Sequence, residues 1–385
     1  MTSLLALVCV LTFLHYVAAQ MRTPVLPLYA AAHGATATGV GLIMGAHMAA
    51  AAAASIPLGR AADVRGRRPL LLGGMAVGVV SSLLLPLAEG EVALAVIFGL
   101  AGLGVAAFTP SALSLVGDAA PPDSAGRAYA WYSTAHYGAI GVGPFLGGVV
   151  AEWWGFRAAL VVSAVGIAAA LALGRRLPTR ASERNRLAPA TTFADIRRNP
   201  HVWAGWTVSV SGLLVQGVVF TFFPLLAQER GWTPAAIGLV FLVLGAANTA
   251  ARVPAGRLVD RTRRCAPFAL GGVLVASLAT ALVPHVGGGP ALLVLIAVFG
   301  AVSGVAFVAV SVALAASVPA AARGLVMGGY STSLYLGLAL GSFAFGPVIT
   351  RYGYAVGFTV GAVAGVAGTL VAGALWLRSA RATSS

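Results

Sequence analysis

Long apolar runs, broken by short clusters of Gly, Pro and Arg, extend along the whole chain. About 20 apolar residues make one helical crossing of a bilayer, so the pattern predicts twelve membrane-spanning helices. They fall near residues 4–29, 38–58, 70–88, 92–117, 128–151, 157–174, 202–227, 236–255, 267–285, 290–317, 324–350 and 354–377, and are called spans one to twelve below. The longest polar stretch, Arg175 to His201, holds Arg175, Arg176, Arg180, Arg184, Arg186, Arg197 and Arg198, and parts six spans from six. The domains expected are an N-terminal six-helix bundle over residues 1–174, a cytoplasmic central loop over 175–201, and a C-terminal six-helix bundle over 202–385 ending in a short cytoplasmic tail. The first apolar stretch has no basic leader and runs too long for a cleavable signal, so span one is expected to remain.

The two halves repeat each other. A shift of 197 carries Pro27, Gly34, Thr36 and Gly41-Leu42 onto Pro224, Gly231, Thr233 and Gly238-Leu239, and Pro57, Gly59, Arg60, Asp63 and Arg67 onto Pro254, Gly256, Arg257, Asp260 and Arg264. After one inserted residue the shift is 198, matching Gly73-Gly74 to Gly271-Gly272, Pro86 to Pro284, and Tyr132-Ser133-Thr134 with Tyr137 to Tyr330-Ser331-Thr332 with Tyr335. An alanine-rich composition produces scattered matches, but it does not hold prolines, glycines and Asp/Arg pairs in one register. A shift of six crossings makes the repeats parallel, related by an axis along the membrane normal, an arrangement associated with two-bundle transporters.

Composition narrows the function classes. Of 385 residues, 59% are hydrophobic and 9% charged, against roughly 25% charged in an ordinary soluble domain; a two-domain soluble enzyme is excluded. All 24 basic residues are arginine. Without lysine there is no Walker-type phosphate loop, and neither a retinal nor a pyridoxal Schiff base can form. The net charge of +14 reads as topology rather than nucleic-acid binding, because the arginines punctuate apolar runs and short arginine-rich loops mark the cytoplasmic side. An even number of crossings then puts the Arg60–Arg68 loop, Arg127, the central segment, the Arg257–Arg264 loop, Arg323 and the Arg378–Arg381 tail on one side. Both termini are expected in the cytoplasm and the protein in the plasma (inner) membrane. The other side receives Arg157, Arg230 and Arg351, with Glu89, Glu91, Glu152 and Glu229 among its acids. Cys9 and Cys265 form no metal-ligand spacing and no disulfide framework, and no cofactor is expected.

In these features the chain resembles the major facilitator superfamily of transporters over essentially its whole length. Gly59-Arg60-Ala61-Ala62-Asp63-Val64-Arg65-Gly66-Arg67-Arg68, between spans two and three, is similar to the family's G-x-L-A-D-R-x-G-R-R loop, and Gly256 to Arg264 is a second copy. Val64 replaces the usual Arg in the first copy and Arg263 the usual Gly in the second. The resemblance implies an all-α membrane protein of twelve helices in two pseudo-symmetric six-helix bundles. It also implies a gate at the cytoplasmic side built on Gly59, Asp63 and Arg67 with Asp118 and Arg127, and on Gly256, Asp260 and Arg264 in the second copy. Charge-assisted hydrogen bonds would hold helix ends together there; the alternative is a solvated loop that fixes topology.

Span five carries Gly143-Pro144 and Gly147-Gly148, which resemble the core of the GP-x-x-GG motif of many proton-coupled exporters. The resemblance implies efflux, while a generic small-residue packing seam is the other reading. Phe98 in span four stands where the family carries a membrane arginine, four residues before Gly102.

Polar groups present in one half only are the better candidates for solute or ion work. In span one, at 100° per residue, His15, Tyr16, Gln20, Arg22 and Thr23 share one arc, with Val17, Ala18, Met21 and Pro24 opposite. A mid-membrane arginine costs about 2.5–3.5 kcal/mol on insertion scales, so Arg22 reads either as a solute contact or as a structural pairing or snorkelling group. Tyr132, His136, Tyr137, Gln216 and Tyr335 complete the substrate and coupling candidates, with His15, His47 and His136 titratable near neutral pH. No Asp or Glu lies in the middle of any predicted span; this favours a neutral or anionic small solute over an organic cation, with protons as a candidate second partner. The expected activity is secondary transport by alternating access in a monomer, with proton-coupled efflux ahead of uptake or facilitated diffusion and, further back, a non-transporting receptor. Neither H-E-x-x-H nor G-x-S-x-G occurs, so an intramembrane enzyme is not expected.

Overall fold

The computed structural model describes residues 3–120, 125–178, 196–197, 199–262, 264–319 and 322–382, and its regular structure is entirely helical. Most of the predicted central loop, with Arg180, Arg184, Arg186 and Arg198, lies outside the described residues.

Ten described segments are long and apolar enough to cross a bilayer. One of them, Arg127–Gly174, holds two crossings, because Gly155 at φ 85° breaks the helical path between spans five and six. The helix Arg323–Phe343, polar through its Tyr-Ser-Thr-Ser stretch, begins span eleven. With these the twelve predicted crossings are present. The gap between spans eleven and twelve is Gly353, at φ 82°, the register partner of Gly155. Gly34 (φ 87°) and Gly231 (φ 79°), which end spans one and seven, are a second such pair. Left-handed backbone of this kind suits glycine alone, so the duplication is written in conformation as well as in sequence.

Span one departs from the predicted single helix. It is two helices, Ser3–Gln20 and Arg22–Ala32, meeting at Met21. Pro24 and Pro27 lack the N–H groups that would bond the carbonyls of Gln20 and Thr23, which explains a break at this point. Spans two and eight start alike: Thr36 Oγ1 accepts from Gly39 N (3.2 Å) and Thr233 Oγ1 from Ala236 N (3.3 Å), the usual N-cap bond of threonine.

Contacts gather the chain into two compact units. The first is Met1–Arg186 with Phe220–Gly245; the second is Leu187–Val219 with Ala246–Ser385. The end of span seven and the start of span eight thus pack with the first half of the sequence. The core of the first unit includes Leu11, Tyr16, Met75, Phe108, Leu115, Tyr132 and Ile167; that of the second includes Val208, Val273, Val310, Leu314, Val326 and Tyr330. Each unit brings two of its spans into close contact through a repeated glycine. A Cβ on Gly74 would lie 2.5 Å from the Gly104 carbonyl oxygen, and one on Gly272 would lie 2.7 Å from that of Val302. Small residues permit this approach where lipid supplies no hydrophobic drive. Each unit also has a polar staple between its second and fourth spans: His47 Nδ1 donates to the Phe98 carbonyl (3.0 Å) and Asn248 Nδ2 to that of Gly300 (3.0 Å).

Candidate functional site

The first unit collects the candidates of spans one and five around span four. His15 is buried and stacks on Phe108 (centroids 4.0 Å apart), with Tyr16 edge-on at 5.4 Å. Tyr16 in turn meets His136 edge-on at 4.2 Å, and its hydroxyl lies 2.6 Å from Thr109 Oγ1. His136 lies edge-on to Tyr137 at 4.8 Å and parallel to buried Tyr132 at 6.1 Å. Five of the predicted residues therefore form one aromatic cluster with Phe108 and Thr109. Among the described residues, both ring nitrogens of His15 and the hydroxyl of Thr12, one turn earlier on the same helix, are buried without a hydrogen-bond partner. An unmade bond of this kind costs about 1–3 kcal/mol, so these groups gain from any state of the protein that admits a partner.

Gln20 and Arg22 flank the break in span one. Gln20 Oε1 accepts from Thr23 Oγ1 (2.8 Å). Arg22 is 3% exposed, donates from Nε to the Ala19 carbonyl (3.1 Å) and from Nη1 to Ser82 Oγ of span three (3.0 Å), and lies over the Phe98 ring at 5.4 Å. Of the two readings of Arg22, these contacts supply the structural pairing, and they turn its head toward spans three and four. The guanidinium covers the residue that stands in the place of the span-four arginine. Among the described residues no carboxylate comes within salt-bridge distance of it. A buried positive charge held by neutral oxygens and a ring face, the latter worth about 0.5–2 kcal/mol, keeps an unspent attraction for an anion.

At the arginine-rich end, Arg67 bonds to Asp118 and to the Ser114 carbonyl (2.9 Å), tying span three to span four. Arg127 is exposed and Gly59 has open space around it; the Asp63 side chain lies outside the described residues. In the second copy Asp260 and Arg264 are exposed, Gly256 has open space, and the register partner of Asp118 is Ala316. The two copies of the loop are thus alike in sequence and different in what they can grip.

The span-five motif packs on two faces. A Cβ on Gly143 would lie 2.5 Å from the Val17 carbonyl oxygen, and one on Gly147 would overlap that of Met21, at the break in span one. On the other face, Gly148 abuts the Pro234 carbonyl, Gly141 abuts Gly245, and a Cβ on Gly238 would lie 2.7 Å from the Pro144 carbonyl oxygen. Gln216 and Tyr335, both half-buried, belong to the second unit.

A family model described as Major Facilitator Superfamily matches residues 8–342, with a second match over residues 227–385. The chain belongs to the Major Facilitator Superfamily. An MFS-type transporter of Methanocaldococcus jannaschii, MJ1560, is 23% identical over 347 residues, 87% of this chain and 88% of the relative. A multi-drug resistance efflux pump PmrA homolog of Lactococcus lactis is 31% identical over 159 residues, 39% of this chain and 37% of that protein. Among solved structures, an inward-facing bacterial homolog of the human lysosomal transporter Spinster has a TM-score of 0.80 at 18% identity, covering 98% and 96% of the two chains. The nucleoside transporter NupG has a TM-score of 0.77 at 14% identity over 97% and 100%. This multi-pass membrane protein is therefore a superfamily transporter with the superfamily fold, of a kind that carries small solutes across a membrane.

Sequence reasoning missed Phe108, Thr109 and Ser82 as neighbours of its candidates. Thr109-Pro110 opens the polar Thr109-Pro110-Ser111 step in span four, a signal that was present; nothing in the sequence ties Ser82 to Arg22.

Proposed function

We propose that this superfamily member is a proton-coupled exporter of a small organic solute, neutral or anionic, working as a monomer by alternating access of bundles 1–174 and 202–385, with both termini in the cytoplasm. The observation that carries the export reading is span five: its Gly143-Pro144 and Gly147-Gly148 motif resembles that of exporters, and every one of these glycines meets a backbone that leaves no room for a side chain. The efflux-pump likeness of the Lactococcus protein over part of the chain supports it. The aromatic cluster of His15, Tyr16, Tyr132, His136 and Tyr137 takes the solute within the first unit, and Gln216 and Tyr335 are the candidates that the second unit offers on its own; Arg22 supplies the positive charge that favours an anion. His15 and His136 are the groups through which protons couple. Arg67 and Asp118 hold the gate on the arginine-rich side, with Arg127 and the second copy at Gly256, Asp260 and Arg264.

Uptake or facilitated diffusion is the second reading, favoured by Phe98 in place of the span-four arginine and by the absence of a mid-span carboxylate. Purified protein in liposomes separates the two. With chloramphenicol as a neutral probe and fluorescein as an anionic one, the export reading expects accumulation driven by an inside-acid gradient in molecules inserted with the cytoplasmic face outward. Equilibration of a probe at the same rate with and without the gradient would establish facilitated diffusion instead.

A further inference from the structure

Glu152 at the end of span five, which no transport role described above uses, accepts a hydrogen bond at Oε2 from the backbone N–H of Ala235 (3.0 Å). Ala235 is the second residue of the helix Pro234–Thr262, span eight. The first-turn donors of that helix can be accounted for one by one. Pro234 has none, Ala236 donates to Thr233 Oγ1 (3.3 Å), and Ile237 donates to the Thr233 carbonyl (3.0 Å). Ala235 is left to the Glu152 carboxylate, which also faces the positive end of the helix dipole.

Among the described residues the same device occurs again, differently wired. Glu91 Oε1, at the start of span four, accepts from the N–H of Thr36 (3.0 Å) at the start of span two, and both lie in the first half of the sequence. Glu152 instead joins a span of the first half to a span of the second. The contact lies at the mouth of the glycine seam in which Gly148 meets Pro234 and Gly238 meets Pro144. Shift 198 pairs Glu152 with Thr350, so the carboxylate is absent from the other repeat.

We propose that Glu152 is a gating residue: its carboxylate latches span five to the N-terminus of span eight and weights the transport cycle toward the state in which their arginine-poor ends are shut. This rests on the alternating-access reading, because a latch matters only if those ends part. In that parted state Ala235 N–H and the carboxylate turn to water, and the charge–dipole attraction is lost. The carboxylate is exposed, so the bias is moderate.

Spin labels on cysteines at Arg157 and Gln228, in the full chain with Cys9 and Cys265 replaced by Ala and held in nanodiscs, report the separation by pulsed dipolar spectroscopy. We expect two separations in the parent protein. Glu152→Gln, which keeps an acceptor and loses the charge, should raise the ratio of long to short about twofold, and Glu152→Ala about fivefold. Gly148→Ala, which forces the seam apart sterically, should shift it in the same direction. Glu91→Gln, the matching cap inside one half, should lower thermal stability slightly and leave the ratio alone. Two separations in unchanged proportion in Glu152→Ala would overturn the latch and leave alternating access standing. An equal shift from Glu91→Gln would overturn it too, since the effect would then report helix capping. One fixed separation in the parent and in every variant would overturn both readings.

Discussion

Spans one and seven are register partners built to opposite specifications. Where span one has His15, Tyr16, Gln20 and Arg22, span seven has Gly212, Leu213, Gly217 and Val219. His47 faces Leu244 in the same register, and His136 faces Leu334. The packing contacts run the other way and are nearly identical. Gly143 sits on the Val17 carbonyl and Gln20, and Gly341, its partner, sits on the Leu214 carbonyl and Gly217, the partners of Val17 and Gln20. The duplication therefore kept the close approach of spans one and five, and of seven and eleven, and let the side chains around it diverge. Shared glycines make the scaffold twice; His15, Arg22, His47 and His136 are spent once, in the first half.

The sharpest way to break this division is to attack the shared contact. Gly143→Val and Gly341→Val each drive a branched side chain into a backbone carbonyl. We expect each to cost about 3 kcal/mol, as overpacking does at its upper range, and the two variants to lower the thermal midpoint in detergent equally. A variant of one half that unfolds while its partner is tolerated would show that the two seams are not the same scaffold element. Gly59→Ala and Gly256→Ala, with open space around them, are the controls and should be nearly neutral.

What the sequence could and could not reveal follows the same division. Span number and repeat register were legible because they depend on apolar length and on prolines and glycines, which act locally. Gly155 and Gly353 fall in the predicted gaps for that reason. The direction of Arg22 was not legible. A wheel drawn through residues 15 to 23 assumes one unbroken helix, and the break at Met21 turns Arg22 toward Ser82 while His15 and Tyr16 face Phe108 and Thr109. The Arg67 and Asp118 pairing came from the family resemblance, not from spacing across 51 residues. Glu91 and Glu152 read as surface acids, because a cap supplied by a distant helix leaves no local pattern.

The asymmetric groups give the next effect in size. Arg22→Met keeps the volume and removes the charge; since no carboxylate among the described residues pairs with Arg22, no buried counter-charge is left uncompensated, so folding should persist. Flux of an anionic probe should fall about tenfold, equivalent to ~1.4 kcal/mol, with less change for a neutral one. Val219→Met, at the partner position, should leave both fluxes unchanged. Equal flux of both probes in Arg22→Met would confine Arg22 to its contacts with Ser82 and Phe98.

The smallest effect expected is the most direct test of divergence between the loops. Arg67 has Asp118 to grip, and Arg264 has Ala316 in the same place of the register. The Asp118 side chain is 31% exposed, so water screens the pair and Asp118→Asn should cost about 0.5–1 kcal/mol. If the pair holds only the gated state, that cost will appear as a change in turnover with little change in thermal midpoint. If it holds spans three and four together throughout the cycle, the midpoint will fall and turnover will follow it. Exchanging the charges, Arg67→Asp with Asp118→Arg, should restore whichever quantity was lost. Ala316→Asp offers Arg264 the partner it lacks. A second pair that slows turnover without raising stability would mean that transport depends on only one of the two loops being gripped.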